Sequence, residues 1–100
     1  MCMEYEIEQL DSFVNWFDKL ADMRAKDRIK ARIERAKIGN FGNWSPEGGE
    51  LRAMVIDYGP GYRLYYTIRE NKIIFLLCGG DKSTQKTDIK QAHKLVKEIG

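Results

Sequence analysis

A chain of 100 residues buries roughly 65% of the surface it exposes when unfolded, enough for one core and too little for two, so residues 1–100 read as a single domain. With 43% hydrophobic and 32% charged residues, and no apolar run near the ~20 residues of a membrane-spanning helix, the composition excludes a disordered tail and such a span. The net charge is only +2 but unevenly placed: residues 1–21 set five acids against Lys19, and residues 22–38 set seven bases against three acids. That basic block suits nucleic acid, an acidic partner or a solvated helix face.

The first element is a strand. Met3, Tyr5 and Ile7 alternate with Glu4, Glu6 and Glu8, one face apolar and the other charged. Asp11 or Ser12 is placed to cap a helix in which Leu10, Phe13, Val14, Phe17 and Leu20 recur at helical spacing. Asp22 caps a second helix with the stripe Ala25, Ile29, Ile33 and Ala36, and Gly39 ends it. Residues 39–49 hold four glycines with Asn40, Asn43, Ser45 and Pro46, an irregular loop pinned by Phe41 and Trp44.

Three strands follow, Leu51–Tyr58, Tyr62–Arg69 and Lys72–Cys78, with Glu70-Asn71 as a two-residue turn between the last two. The run Ile73–Leu77 is apolar on both faces, which predicts a central strand. After Gly79-Gly80, Ser83 or Thr84 opens a final helix with Ile89, Ala92, Val96 and Ile99 inward. The order β-α-α-β-β-β-α makes an α+β domain with a largely antiparallel sheet packed against helices.

Pairing Tyr58 with Arg63 across a four-residue loop places Arg52, Met54, Ile56 and Tyr58 on one sheet face with Arg63, Tyr65, Thr67 and Arg69. The opposite face collects Ala53, Val55, Leu64, Tyr66 and Ile68, which predicts that the first face is free, basic and aromatic. Such a face reads either as solvent-facing decoration or as an RNA surface, arginine on phosphate and tyrosine on bases. Between the central strand and the last helix, Gly79-Gly80-Asp81-Lys82-Ser83-Thr84-Gln85 allows close backbone approach at a positive helix end, with Lys82 as a point charge. It reads as a small anion site or as a glycine turn with a helix cap, and it lacks the spacing of a nucleotide-triphosphate loop. His93, Glu47, Glu50 and Asp81 are further acid–base candidates of low rank. Two cysteines, Cys2 and Cys78, and a single histidine build no disulfide framework or zinc motif, so no metal and no cofactor are expected.

The stretches Leu51-Arg52, Tyr58-Gly59-Pro60-Gly61-Tyr62-Arg63-Leu64-Tyr65-Tyr66, Leu76-Leu77-Cys78-Gly79-Gly80-Asp81-Lys82-Ser83-Thr84-Gln85 and Asp88-Ile89 together resemble the RelE/ParE superfamily of bacterial toxins. More narrowly they are similar to the HigB-like addiction module killer proteins. The resemblance implies a RelE-like fold and a cytoplasmic toxin of a type II toxin–antitoxin module, neutralised by a cognate antitoxin. It further implies cleavage of mRNA on the ribosome, with a gyrase-inhibiting, ParE-like action or mere antitoxin binding as alternatives. Carried over by position, Arg63, Arg52 and Lys82 are the expected catalytic residues, with Tyr58, Tyr62 and Tyr65 as base-stacking candidates. The pattern departs in two places: Met54 replaces a second basic residue, and Asp88 stands near the place of a tyrosine in the last helix.

Overall fold

The computed structural model describes residues 4–100, so Cys2 and Met3, where the expected opening strand begins, lie outside it. The chain runs β1 (Glu6–Gln9), α1 (Asp11–Asp18), α2 (Met23–Lys37), β2 (Trp44–Pro46), β3 (Arg52–Ile56), β4 (Tyr62–Arg69), β5 (Ile73–Asp81), a short 3-10 turn (Lys82–Thr84) and α3 (Gln85–Glu98). Strand β2 adds one element to the sequence expectation, inside the stretch read as pure loop. The five strands form one sheet in the order β1-β5-β4-β3-β2. β1 runs parallel to β5 and every other pair is antiparallel.

Local signals explain much of this. The Asp22 carboxylate accepts from the backbone N–H of Arg24 and Ala25 at the start of α2. Gly39, at φ 88°, closes its far end. Glu70 and Asn71 both adopt positive φ, 59° and 51°, the left-handed pair that a two-residue hairpin between β4 and β5 demands. The caps of the other helices differ from expectation. α1 begins without a side-chain cap because the Ser12 hydroxyl is used elsewhere, donating to the Leu77 carbonyl of β5 (2.5 Å). At α3, Asp81 caps the preceding 3-10 turn, and Thr84 turns its hydroxyl to Asp88.

Both faces of the sheet are covered. Phe13 of α1 and Ala25, Ile29 and Ala36 of α2 pack on Met54, Ile56, Tyr62, Leu64, Tyr66, Ile74 and Leu76. On the other side Ala92 of α3, flanked by Ile89, Leu95, Val96 and Ile99, packs on Leu51, Ala53, Tyr65, Leu77 and Cys78. A bulge in the β4–β5 ladder lies between Tyr65 and Tyr66, whose partners are Cys78 and Leu76. It leaves Leu77 unpaired, so Leu77 and Cys78 join the same cluster although they are sequence neighbours.

This corrects the predicted register. β3 and β4 pair Val55 with Arg63, Ala53 with Tyr65 and Arg52 with Tyr66. The connection has five residues, 57–61, and the ladder closes at Ile56–Tyr62 rather than Tyr58–Arg63. The change of parity puts every side chain of β3 on the opposite face relative to β4. Arg52 and Arg63 therefore lie on opposite faces, and the described residues form no free basic-aromatic face. The physical cause is Tyr58, which leaves the ladder and donates its hydroxyl to Asp22 Oδ2 (3.1 Å) beneath the Arg28 guanidinium, 4.6 Å from the ring centre.

Candidate functional site

Of the three expected catalytic residues, the fold unites two. Arg63, half-buried on the α3 side of β4, is paired across the strands with Val55 and Gly80. Lys82 is exposed at the first position after β5. Gly61 lies between them: a Cβ there would stand 3.7 Å from Lys82 Cβ and 3.9 Å from Arg63 Nη1. Gly61 also needs its φ of 79° for the turn, and its carbonyl accepts from Arg63 Nη1 (3.3 Å). Beside Lys82, an open depression of about 430 Å³ is lined by Lys82, Ser83, Gln85, Lys86 and Ile89.

Arg52 is placed elsewhere. It lies on the α1/α2 side of the sheet with its guanidinium 4.9 Å from the centre of the Trp44 ring. There it offsets part of the rise that burial imposes on the Tyr66 phenol, which reaches about 12. The expected tyrosine platform is also corrected. Tyr65 is 0% and Tyr62 7% exposed, so neither offers a ring face to a base, and Tyr58 is held by Asp22 and Arg28. Tyr65 keeps the face of Arg63 but lies beneath α3, Tyr62 turns into the opposite core, and Tyr58 has left the ladder.

The glycine pair also has a different use. Gly79 and Gly80 are buried inside β5, not in a phosphate loop. A Cβ at Gly79 would meet Trp16 ring atoms at 2.2–2.5 Å. A Cβ at Gly80, on the opposite face, would fall 1.8 Å from Asp88 Oδ2 and 2.9 Å from Thr84 Oγ1. One glycine makes room for an indole, and the next for the carboxylate of Asp88.

The other acid–base candidates are committed to structure. Asp81 accepts from the backbone N–H and the hydroxyl of Ser83, which holds its carboxyl below the usual range. His93 Nε2 meets the Glu47 carbonyl at 3.0 Å and fastens the loop after β2 to α3. Glu47 accepts from Ser45, and Glu50 binds Arg69 and Thr67. Asp88 is the exception, because burial pushes its carboxyl up, against the opposing hydrogen bond from Thr84. In the sequence Asp88 stands out only as a substitution for tyrosine; the Thr84–Asp88 spacing of four on one helix face is the signal that could have found it. Cys78 is a buried thiol, raised to about 12 by burial, and is chemically quiet.

The basic block on α2 divides likewise. Arg32 is a structural residue, donating to the carbonyls of Val55 (2.7 Å), Phe41 (2.9 Å) and Asn43 (2.8 Å) and tying the 39–43 loop to β3. Arg24, Arg28 and Arg35 remain exposed on the same helix. No helix among the described residues is long and apolar enough to cross a membrane.

A five-stranded mixed sheet with two helices on one face and a third on the other is a RelE-like fold. Solved coordinates of the E. coli toxin RelE, an arginine-to-alanine double variant in the free state, superpose with a TM-score of 0.74 at 17% identity, over 98% of this chain and 100% of that one. No family model matches the sequence. The chain belongs to the same family as an uncharacterized protein of Haemophilus influenzae, to which it is 44% identical over 98 residues, 98% of this chain and 99% of the relative.

Proposed function

We propose that the protein is the toxin of a type II toxin–antitoxin module and that it cleaves mRNA on the ribosome without a metal or cofactor. The observation that carries this reading is the placement of Arg63 and Lys82 around Gly61 at the start of the last helix, two cations that the resemblance assigns to the site. In such cleavage the ribose 2′-hydroxyl attacks its neighbouring phosphate, and the extra negative charge of the crowded phosphorane must be neutralised. Arg63 stays charged at any physiological pH and its planar fork fits two phosphate oxygens. It rests on a strand at the centre of the sheet, so its position costs little reorganisation. Lys82 adds a mobile point charge on the exposed side. Arg52, Tyr58 and Tyr62 have no part in this site, and base positioning falls to the ribosome.

The antitoxin is expected to present an acidic segment to the outer face of α2, where Arg24, Arg28 and Arg35 are exposed. The deciding experiment is expression without antitoxin, with mapping of mRNA 5′ ends on ribosomes and a gyrase supercoiling assay in parallel. Arg63→Ala, folded as judged by thermal melting, should lose about 100-fold or more in cleavage rate, roughly 3 kcal/mol of transition-state stabilisation. Undiminished cleavage by that variant refutes the role of Arg63. Absence of cleavage by the wild type together with inhibited supercoiling refutes the ribonuclease reading in favour of gyrase.

A further inference from the structure

Gly80 is the cross-strand partner of Arg63, and the space its side chain would fill is occupied by the carboxylate of Asp88. An acid from α3 thus stands in the ladder position directly beside the proposed phosphate-binding arginine. The two are not joined as an ion pair: those formed among the described residues are Lys37–Glu34 and Arg69–Glu50. Asp88 Oδ2 is fixed by the Thr84 hydroxyl at 2.5 Å, which leaves Oδ1 without a protein donor. A second observation marks the same place. The Tyr65 hydroxyl is fully buried and has no hydrogen-bond partner, and its ionisable neighbours are Asp88, Arg63, Glu47 and Cys78. A buried donor near both the acid and the arginine is therefore left without a protein partner.

We propose that Asp88 is the general base of this site, taking the proton of the ribose 2′-hydroxyl on Oδ1 while Arg63 holds the scissile phosphate. The inference rests on the ribonuclease reading above. In the step, the 2′-oxygen bonds to phosphorus, the bond from phosphorus to the 5′-oxygen breaks, and the 2′-hydroxyl proton passes to Asp88. The departing 5′-oxygen takes a proton from water and Asp88 later returns its own to water. The products are a 2′,3′-cyclic phosphate and a 5′-hydroxyl. The surroundings suit a base. Burial, with Asp81 from the end of β5 adding like charge, raises the Asp88 carboxyl toward the range where a base works best, and Thr84 opposes this. Tyr65 of β4 and Cys78 of β5 neighbour Asp88, and Arg63 with Glu47 from the loop after β2 share the surroundings of Tyr65. Burial keeps the Tyr65 phenol neutral and therefore a donor.

The test is single-turnover cleavage of ribosome-bound mRNA by wild type, Asp88→Asn, Asp88→Glu and Arg63→Ala, followed across pH. Asp88→Asn keeps an acceptor for Thr84 and should cleave at least about 100-fold more slowly, with ribosome binding unchanged. It should melt no lower than wild type at neutral pH, because it removes a buried charge. A carboxylate serving only structure would lose stability instead. Asp88→Glu should recover part of the rate. The wild-type rate should rise with pH along an acidic limb shifted upward from the usual aspartate value, and Asp88→Asn should lack that limb. A wild-type rate with no acidic limb, or Asp88→Asn cleaving within about threefold of wild type while Arg63→Ala is inactive, overturns the role of Asp88 and leaves the ribonuclease reading standing. A wild type that does not cleave overturns both.

Discussion

The two adjacent glycines of β5 make opposed predictions that test the packing on each face of the sheet. Gly79→Ala would place a methyl 2.2, 2.4 and 2.5 Å from three atoms of the Trp16 indole. Trp16 cannot easily swing aside, since its ring packs at 5.8 Å from Phe13 and 6.1 Å from Tyr62, centre to centre. Overpacking of this kind costs about 1–3 kcal/mol, and rigid ring atoms on three contacts place it at the upper end. Neither glycine has positive φ, so alanine also gains about 0.4–1 kcal/mol by restricting the unfolded chain. The net loss is about 2 kcal/mol, or a fall of about 8–16 °C in Tm for a domain of this size. Thermal melting by circular dichroism, with near-ultraviolet signal reporting the indole, measures it. A Gly79→Ala protein that melts within about 2 °C of wild type, on the scale set by that conversion, would refute the seating of Trp16 on β5. Gly80→Ala displaces Asp88 and Thr84 instead, and its signature should be lost activity at a smaller cost in Tm.

Arg32→Ala removes a charged donor from three carbonyls and should cost about 2–4 kcal/mol in denaturant unfolding; Arg32→Lys should rescue only part, since one ammonium cannot replace the planar fork. Glu50 is held below the carboxylate value of 4.5 chiefly by its hydrogen bond to Arg69, so its contribution is present above that value and lost as pH falls through the lower folded pKa. Melting profiles of wild type and Glu50→Gln should therefore converge in acid and separate toward neutral pH, and parallel profiles would exclude that linkage. Charge reversal at Arg24 and Arg35, which are exposed on α2, rather than at Arg28 or Arg32, is the clean probe of antitoxin docking: binding should weaken in a salt-dependent way, and unchanged affinity at low salt would move the interface off α2.

Local chemistry made several elements legible in the sequence. Asp22 and Gly39 mark the ends of α2, Glu70-Asn71 makes the turn, and the two-sided apolar run of β5 announces a buried central strand; each depends only on residues near in the chain. Arg63 and Lys82 were legible as candidates because both sit near the ends of recognisable segments, and the fold sets both beside Gly61. The register of β3 was not, because it hinges on whether Tyr58 stays in the ladder, and Asp22, 36 positions away, decides that. A change of one in parity then moved Arg52 to the far face, and the helices on either side buried Tyr65 and Tyr62. Asp88 was hidden for the same reason. Its environment is made by a glycine on another element and by burial under tertiary packing, and neither spacing nor composition encodes the empty place that Gly80 leaves for it.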